Sequence, residues 1–206
     1  MTIRLPSAAQ TAPAVARNRD PILAVLRRVM PVQGTVIEIA SGTGEHAVHF
    51  AAGLPALAWQ PTDRDAEALR SISAHREAAQ LRNLLPPLAL DVCQRPWPVE
   101  RADAVVSINM IHIAPWQAAE GLMTGAGRLL APGSILYLYG PFREDGRHTA
   151  PSNAAFDANL KAQDPEWGVR DLGEVCALAD GHSFDLVERI AMPANNLSVV
   201  FRRRPR

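Results

Sequence analysis

The 206-residue sequence lacks the features that mark disulfide-rich, zinc-binding and membrane proteins. Its two cysteines, Cys93 and Cys176, form no Cys-x-x-Cys pair and have no partners at metal-ligand spacing. We therefore expect a reducing, cytoplasmic setting and no metal site. No apolar run reaches membrane-spanning length, and the N-terminus has no signal-peptide apolar region. The acid-free stretch before Asp20 leaves a transit peptide as an alternative.

An excess of either charge is also absent, because 21 Lys and Arg residues balance 21 Asp and Glu residues. Proteins that bind nucleic-acid backbones without sequence preference carry a basic excess, so nucleic acid is not the expected partner. The basic stretch 202–206 is interpreted as a solvated chain end. The length fits a single domain over residues 1–206, and the oligomeric state stays open.

Apolar runs predict seven strands, at 35–39, 56–62, 88–90, 102–108, 134–139, 184–191 and 197–202. Most are separated by helical patterns, which indicates an α/β fold with a doubly wound, mostly parallel, Rossmann-like sheet. The first helix is predicted over 22–30, with Asp20 as its cap and Pro21 at its first position. Only residues 192–196 separate the last two strands, so these should form a C-terminal antiparallel hairpin.

A glycine turn follows the first strand, and a helical pattern follows the turn. This order predicts a nucleotide-type cradle, in which Gly42 and Gly44 let backbone amides approach a ligand. The turn is too short for the three-glycine dinucleotide fingerprint and has no Gly-Lys-Ser/Thr. The pattern therefore favours S-adenosylmethionine (SAM) over NAD or ATP. Glu38 or Glu45 is expected to receive the ammonium group of SAM.

The ends of the next two strands carry acids where ligands bind in doubly wound sheets. Asp63, after the second strand, is expected to accept the ribose hydroxyls. Its alternative role is a helix cap, which Asp65 could fill equally well. Asp91 and the backbone amide of Val92, after the third strand, are expected to contact adenine. The alternative for Asp91 is a solvated loop acid.

Polar residues near later strand ends are candidates for the region where a substrate meets the cofactor. They are Asn109, His112, Tyr139, Arg143, Asn195 and Asn196. Asn109 is assigned to the cofactor. His112 is a candidate general base, with a histidine that only packs the pocket as the alternative. Tyr139 is the second catalytic candidate or else a core residue. The other three are assigned to the substrate pocket, although the two hairpin asparagines also suit turn geometry.

The pattern from Glu38 to His46, with Asp63, Asp91 and the Asn-Met-Ile-His run at 109–112, resembles the class I SAM-dependent methyltransferases. More narrowly, segments 17–23, 59–63, 108–113, 139–142 and 192–197 are similar to the uncharacterised family of methyltransferase-like protein 26. The resemblance implies this fold and SAM as cofactor, but no substrate. Many class I enzymes have a further glycine where Ala40 and Ser41 stand, and a residue as small as Ala40 still admits the cofactor.

The resemblance and the motifs together predict in-line methyl transfer from SAM to a small molecule. Arg17 and Asn18 suggest that residues 1–19 form a lid over the cofactor site, with these two side chains at the substrate pocket. Three alternatives stay open. They are a SAM-binding protein without catalysis, a protein or RNA methyltransferase that docks through 202–206, and an NAD-dependent oxidoreductase.

Overall fold

Strands and helices alternate along most of the chain in the computed structural model, which describes residues 8–205. The helices are α1 Pro13–Val29, α2 Glu45–Gly53, α3 Ala66–Ala79, α4 Trp116–Leu129, α5 Pro151–Gln163 and α6 Leu172–Gly181. The strands are β1 Gly34–Ile39, β2 Leu57–Asp63, β3 Leu88–Ala89, β4 Ala102–Ile108, β5 Leu130–Gly140, β6 Arg143–Glu144, β7 Arg147–His148, β8 Phe184–Met192 and β9 Asn196–Arg203. Single 3-10 turns lie at Met110–His112 and Pro193–Asn195.

Seven of these strands form one sheet in the order β3-β2-β1-β4-β5-β9-β8. The first five strands in this order pair parallel, whereas β9 pairs antiparallel with both β5 and β8. The short link between β8 and β9 leaves no room for a crossover helix, which explains the change of direction. The predicted seven-stranded sheet with its C-terminal antiparallel hairpin is confirmed.

The core has two layers, one on each face of the sheet, and β1 contributes to both. Ile37 and Ile39 pack in the layer that contains Leu122 of α4, and Val36 packs in the layer that contains Phe50 of α2. These side chains are fully or almost fully buried because successive strand residues point to opposite faces of a sheet that is covered on both sides.

The first helix begins at Pro13 rather than at residue 22, so the prediction that Pro21 opens it is wrong. Pro21 lies inside α1, where it has no N–H for the carbonyl of Arg17. Buried side chains on both sides of Pro21, among them Val15 and Ile22, hold the helix together through this position. Asp20 is not a cap, because it lies inside α1, whose N-cap position is Ala12. Its carboxylate instead lies 2.9 Å from the imidazole of His49 on α2.

The sequence analysis did not predict the β6–β7 hairpin or helix α5. Only three residues of α5 are buried, and two of them, Asn153 and Asp157, are polar. The helix therefore has no apolar periodicity, although Pro151 at its first turn is a signal for a helix start. Within residues 8–205, no helix has the combination of length and apolar character needed to cross a bilayer.

Candidate functional site

A cavity of about 690 Å³ opens where β1, β2, β3 and β4 end. Parallel strands bring their carboxyl ends to one edge of the sheet, so residues far apart in sequence meet there. Five of the predicted cofactor residues line this cavity: Ala40, Gly42, Asp63, Asp91 and Val92. Arg64 and apolar side chains complete its wall, and we call this space the strand-end cavity.

The glycine turn fixes the shape of one side of the strand-end cavity. Ala40, Gly42 and Gly44 all have positive φ, of 56°, 57° and 90°. A Cβ atom on Gly42 would meet nothing within 4 Å, whereas one on Gly44 would lie 2.8 Å from the Cα of Ile72. Gly42 therefore faces open space, and Gly44 lets the start of α2 pack closely on α3. Ala40 adopts the left-handed conformation that glycine takes more readily.

Both carboxylate oxygens of Asp63 are held by backbone amides. Gly42 N–H donates to Oδ2 at 2.9 Å, and Asp65 N–H donates to Oδ1 at 3.0 Å. The side chain of Asp65 caps α3 by accepting from the N–H groups of Glu67 and Ala68, so the cap does not depend on Asp63. Each oxygen of Asp63 keeps acceptor capacity, and this fixed carboxylate lines the cavity.

Asp91 follows β3 and lines the strand-end cavity. Its Oδ1 accepts the N–H of Cys93 at 2.9 Å, which orients the carboxylate. The neighbouring wall is apolar, with Leu90 and Val92 on one side and Met110 on the other. This end of the cavity thus combines one acceptor with apolar surface.

Neither candidate for the ammonium group lines the strand-end cavity. Glu38 is buried on the other face of β1, where it accepts a hydrogen bond from Trp59 Nε1 at 2.8 Å. Burial raises the pKa of Glu38 to about 7, although the hydrogen bond from Trp59 opposes the shift. Glu45 Oε2 accepts the backbone N–H of Ala12 at 2.7 Å and so ties the chain before α1 to the start of α2.

A second cavity of about 1070 Å³ lies between α1, α5 and the ends of β5 and β9, and we call it the amide-lined cavity. Five further predicted residues line it: Arg17, Asn18, Asn109, Tyr139 and Asn196. Asn153 and Phe156 of α5 also line it, and the sequence analysis missed both because it missed the helix. Consecutive residues line the two cavities, since Asn109 lines this one and Met110 lines the strand-end cavity.

A chain of hydrogen bonds runs beneath the amide-lined cavity. His46 Nε2 lies 2.8 Å from Asn18 Oδ1, and the side chain of Asn18 lies beside the hydroxyl of Tyr139. Asn196 donates through Nδ2 to the carbonyls of Pro193 and Ala194. Burial lowers the pKa of His46 to about 4, with smaller effects from the charges of His49 and Arg19. The neutral imidazole therefore donates to Asn18, whose amide N–H₂ faces Tyr139. Burial raises the pKa of Tyr139, which keeps its hydroxyl protonated.

His112 lies behind both cavities and lines neither of them. Its ring is fully buried, 4.8 Å from the ring of Phe142 between centroids. Nδ1 accepts the N–H of Arg170 at 3.1 Å, which puts the proton of the neutral ring on Nε2, and Nε2 has no hydrogen-bond partner among residues 8–205. Burial lowers the pKa of His112 to about 3, and the charge of Arg170 adds to the shift.

Two other predicted residues lie away from both cavities. Arg143 is 3.9 Å from Glu174, between guanidinium and carboxylate, and its buried Nε has no hydrogen-bond partner among residues 8–205. Asn195 donates through Nδ2 to Ser152 Oγ at 3.2 Å, and its carbonyl accepts from Asn153 at 2.9 Å. Asn195 thus supports α5 at the wall of the amide-lined cavity.

Of the three C-terminal arginines that the structure describes, Arg202 is exposed and the other two are held by the fold. Arg203 is buried, donates to the carbonyl of His182 at 2.6 Å and lies over the ring of Phe184. Arg204 pairs with Asp180 and Asp185. Arg206 lies outside the described residues. Within residues 8–205, no three His, Cys, Asp or Glu side chains cluster as metal ligands would.

A parallel sheet closed by an antiparallel hairpin, with a cavity at its strand ends, defines the class I methyltransferase fold. An O-methyltransferase family protein from Burkholderia thailandensis has this fold, with a TM-score of 0.79 and 17% identity, covering 93% of this chain and 57% of that one. The chain itself belongs to the family described as protein of unknown function (DUF938), matched over residues 9–203.

Two further solved structures are similar in fold. Human N-acetylserotonin methyltransferase in complex with SAM has a TM-score of 0.74 and 15% identity, covering 93% of this chain and 53% of that one. An O-methyltransferase family 2 protein from Planctomyces limnophilus, in complex with apigenin, has a TM-score of 0.73 and 20% identity, covering 95% of this chain and 67% of that one. The chain spans only a little over half the length of the Burkholderia and human proteins.

Proposed function

We propose that this chain is a SAM-dependent methyltransferase that acts on a small molecule. The observation that carries the proposal is that two consecutive residues, Asn109 and Met110, line the two cavities. A methyl donor in the strand-end cavity would then lie beside Met110, next to an acceptor that contacts Asn109 from the amide-lined cavity. The likeness to small-molecule methyltransferases, one of them in complex with SAM, supports the assignment at the level of fold.

The residues of the strand-end cavity fit SAM. The fixed carboxylate of Asp63 suits a pair of ribose hydroxyls, because each oxygen keeps acceptor capacity. Asp91, beside the apolar surface of Leu90 and Val92, suits an adenine ring with its amino group. Gly42 leaves open space where backbone must approach the ligand. Glu38 and Glu45 have other partners, so we assign the ammonium group to the turn around Ala40 instead.

SAM supplies an activated methyl group on a positively charged sulfur. The protein then has to align the acceptor and exclude water. Asn109 is a candidate to align the acceptor, because its position is fixed. Its backbone is left-handed, with φ of 61°, and its N–H donates a hydrogen bond of 2.7 Å to the carbonyl of Tyr139. His112 is assigned a positioning role, since its Nδ1 lone pair already accepts the Arg170 amide.

Calorimetric titration with SAM and with its demethylated product tests the proposal. We expect binding of both ligands and a loss of at least about tenfold in affinity for Asp63→Asn, which replaces one carboxylate oxygen with a donor facing a backbone amide. Asp65→Asn is the matched control, because it keeps an acceptor for the cap of α3 outside the cavity. Failure of either ligand to bind at millimolar concentration would refute the proposal.

The alternatives differ in what they require. A SAM-binding protein without catalysis would bind both ligands but methylate no acceptor. A protein or RNA methyltransferase docking through 202–206 would need accessible arginines, whereas Arg203 and Arg204 are engaged within the fold. An NAD-dependent oxidoreductase would bind NAD in place of SAM. The similarity to methyltransferase-like protein 26 and a cytoplasmic location remain parts of this proposal.

We also propose that the N-terminal segment, residues 1–19, covers the site. Residues 1–7 lie outside the described residues, and the remainder of the predicted lid reaches α2 and α3 through Ala12 N–H on Glu45 and Gln10 N–H on Ser71 Oγ at 2.8 Å. Arg17 and Asn18 line the amide-lined cavity, which extends the lid's expected role to the acceptor. Deletion of residues 1–11 should weaken SAM binding, and unchanged affinity would refute this role.

A further inference from the structure

The amide-lined cavity has an uncompensated positive charge. Arg17, on an exposed turn of α1, lines the cavity, and no carboxylate of residues 8–205 pairs with its guanidinium. None of the described residues that line the cavity is an Asp or a Glu. Its polar surface is instead formed by amides and hydroxyls, including Asn153 and Ser152. Asn153 and Asn196 donate their amide N–H groups to other protein atoms, but the hydroxyl of Ser152 keeps its hydrogen. A cation without a carboxylate partner beside a hydroxyl donor suits an anion.

The hydroxyl of Tyr139 adds a donor to the same surface. Its side chain lines the cavity, and the hydroxyl hydrogen can donate to a ligand there. Burial keeps this group protonated, since it raises the pKa of Tyr139. Tyr139 is therefore a hydrogen-bond donor to a ligand rather than a base.

None of the described residues that line the cavity is a His, Asp, Glu, Lys or Cys that could remove a proton from a bound acceptor. Burial raises the pKa of Tyr139, so its hydroxyl is not a base at neutral pH. His112 lies nearby, but its Nδ1 accepts from Arg170 and its Nε2 carries the ring proton. Hydroxyl and ammonium acceptors must lose a proton on methylation, whereas a carboxylate has none to lose.

We infer that the methyl acceptor is a small carboxylic acid, held as its carboxylate by Arg17 and Tyr139 and methylated on a carboxylate oxygen to give a methyl ester. This inference rests on the proposed methyltransferase function and adds the substrate class. Phe156 and Pro141 give the cavity an apolar side for the body of the acid.

The step balances without a base. A carboxylate oxygen forms a bond to the methyl carbon while the carbon–sulfur bond breaks, and the electron pair of that bond stays on sulfur. One anion and one sulfonium cation give a neutral ester and a neutral thioether. No proton is released, whereas methylation of a phenol, thiol or ammonium group releases one for each turnover.

Acceptor binding is measured first, without methyl transfer. The full chain, saturated with the demethylated product of SAM, is titrated with 4-hydroxybenzoate, phenylacetate and hexanoate, and with the primary amide of each. We expect the carboxylates to bind at least about tenfold more tightly than their amides. Arg17→Gln should remove this preference, and Arg19→Gln, an exposed arginine on the same helix outside the cavity, should keep it. Equal binding of acids and amides would overturn the inference.

Methyl transfer is then measured with the same probes and SAM. 4-Hydroxybenzoate offers a carboxylate and a phenol, so its product identifies the acceptor group. An ester, which releases methanol in alkali, with no proton release in weak buffer, supports the inference. An alkali-stable ether, or no transfer to any of the acids at 10 mM while SAM binds, overturns it and leaves the methyltransferase proposal standing. Failure of SAM to bind overturns both.

Discussion

Nδ1 of His112 accepts a hydrogen bond of 3.1 Å from the backbone N–H of Arg170. This bond joins the loop after β4 to the segment before α6, and it determines which nitrogen of the ring carries the proton. A second bond between these segments runs from Gly168 N–H to the carbonyl of His112 at 2.9 Å. His112 therefore links two loops at the back of the site.

Substitution of His112 should reveal this linking role. We expect His112→Ala to lower the free energy of unfolding by about 2–4 kcal/mol, since it leaves the Arg170 amide without its acceptor and opens a void beside Phe142. His112→Asn keeps an acceptor near Nδ1 and should cost roughly half as much. Urea unfolding of both variants checks the order. A pH–rate profile with a limb near pH 6.5 that disappears in His112→Asn would instead make His112 a base.

The two glycines of the turn should behave differently when replaced by alanine. Gly44→Ala places a methyl group 2.8 Å from the backbone of Ile72, so we expect a loss of several kcal/mol, on the order of 3, in the free energy of unfolding. Gly42→Ala meets no atom within 4 Å and should cost only about 1–2 kcal/mol of backbone strain. Urea unfolding and calorimetry with SAM separate the two effects.

For Gly42→Ala, the main effect should fall on the ligand, because the added methyl group projects into the strand-end cavity. SAM affinity is expected to drop by at least about tenfold in a protein that still folds. Unchanged affinity would mean that the ligand does not approach this glycine.

Glu38 should make stability depend on pH. Its pKa is raised to about 7 in the folded protein, from 4.5. Below pH 4.5 both states bind the proton. Between pH 4.5 and 7 only the folded state keeps it, so stability falls as the pH rises, and above pH 7 the loss is constant. Glu38→Gln, which keeps an acceptor for Trp59, should remove a penalty on the order of 3 kcal/mol at pH 8 but little at pH 4.5.

Urea unfolding at pH 4.5 and pH 8 measures this difference. Glu77→Gln, at an exposed position on α3, is the control and should shift stability equally at both pH values. If the free energies of unfolding of wild type and Glu38→Gln differed by the same amount at both pH values, the raised pKa of Glu38 would be contradicted.

Replacing Ala40 with glycine should stabilise the folded protein. Its φ of 56° is strained for any residue with a Cβ, so Ala40→Gly should relieve more strain than the added freedom of the unfolded chain costs. The expected gain is up to about 1 kcal/mol in the free energy of unfolding. Ser183→Gly, with φ of 62° outside both cavities, should give a similar gain. A loss of stability in both variants would contradict the argument.

The sequence predicted the sheet well because its signals are local. The continuous apolar run of β4 and the short link before β9 are each readable within about ten residues. The strand-end cavity followed from the same reasoning, since parallel strand ends must meet and Asp63 stands at one of them. The position of the Glu38 side chain was not predicted correctly, because Glu38 does not line the strand-end cavity. Its neighbours Ile37 and Ile39 face the α4 layer, so strand alternation turns its carboxylate to the opposite layer.

The amide-lined cavity was harder to predict because it depends on contacts that span the chain. Its α5 wall has no apolar periodicity, since the buried Asn153 and Asp157 bond to distant backbone. The left-handed conformation of Asn109 and the proton position on His112 are likewise set by residues about thirty and sixty positions away. The spacing of residues within one segment of the sequence cannot identify partners so far away.

The peptide step from Asn109 to Met110, which contributes to the lining of both cavities, has a thermodynamic consequence. It is a single main-chain step, held at one end by the carbonyl of Tyr139 and at the other by the N–H of His112 on the carbonyl of Asn109. A ligand that shifts this step from either side changes the space on the other. Donor and acceptor affinities should therefore be linked by one reciprocal factor, so that each ligand alters the binding of the other to the same degree.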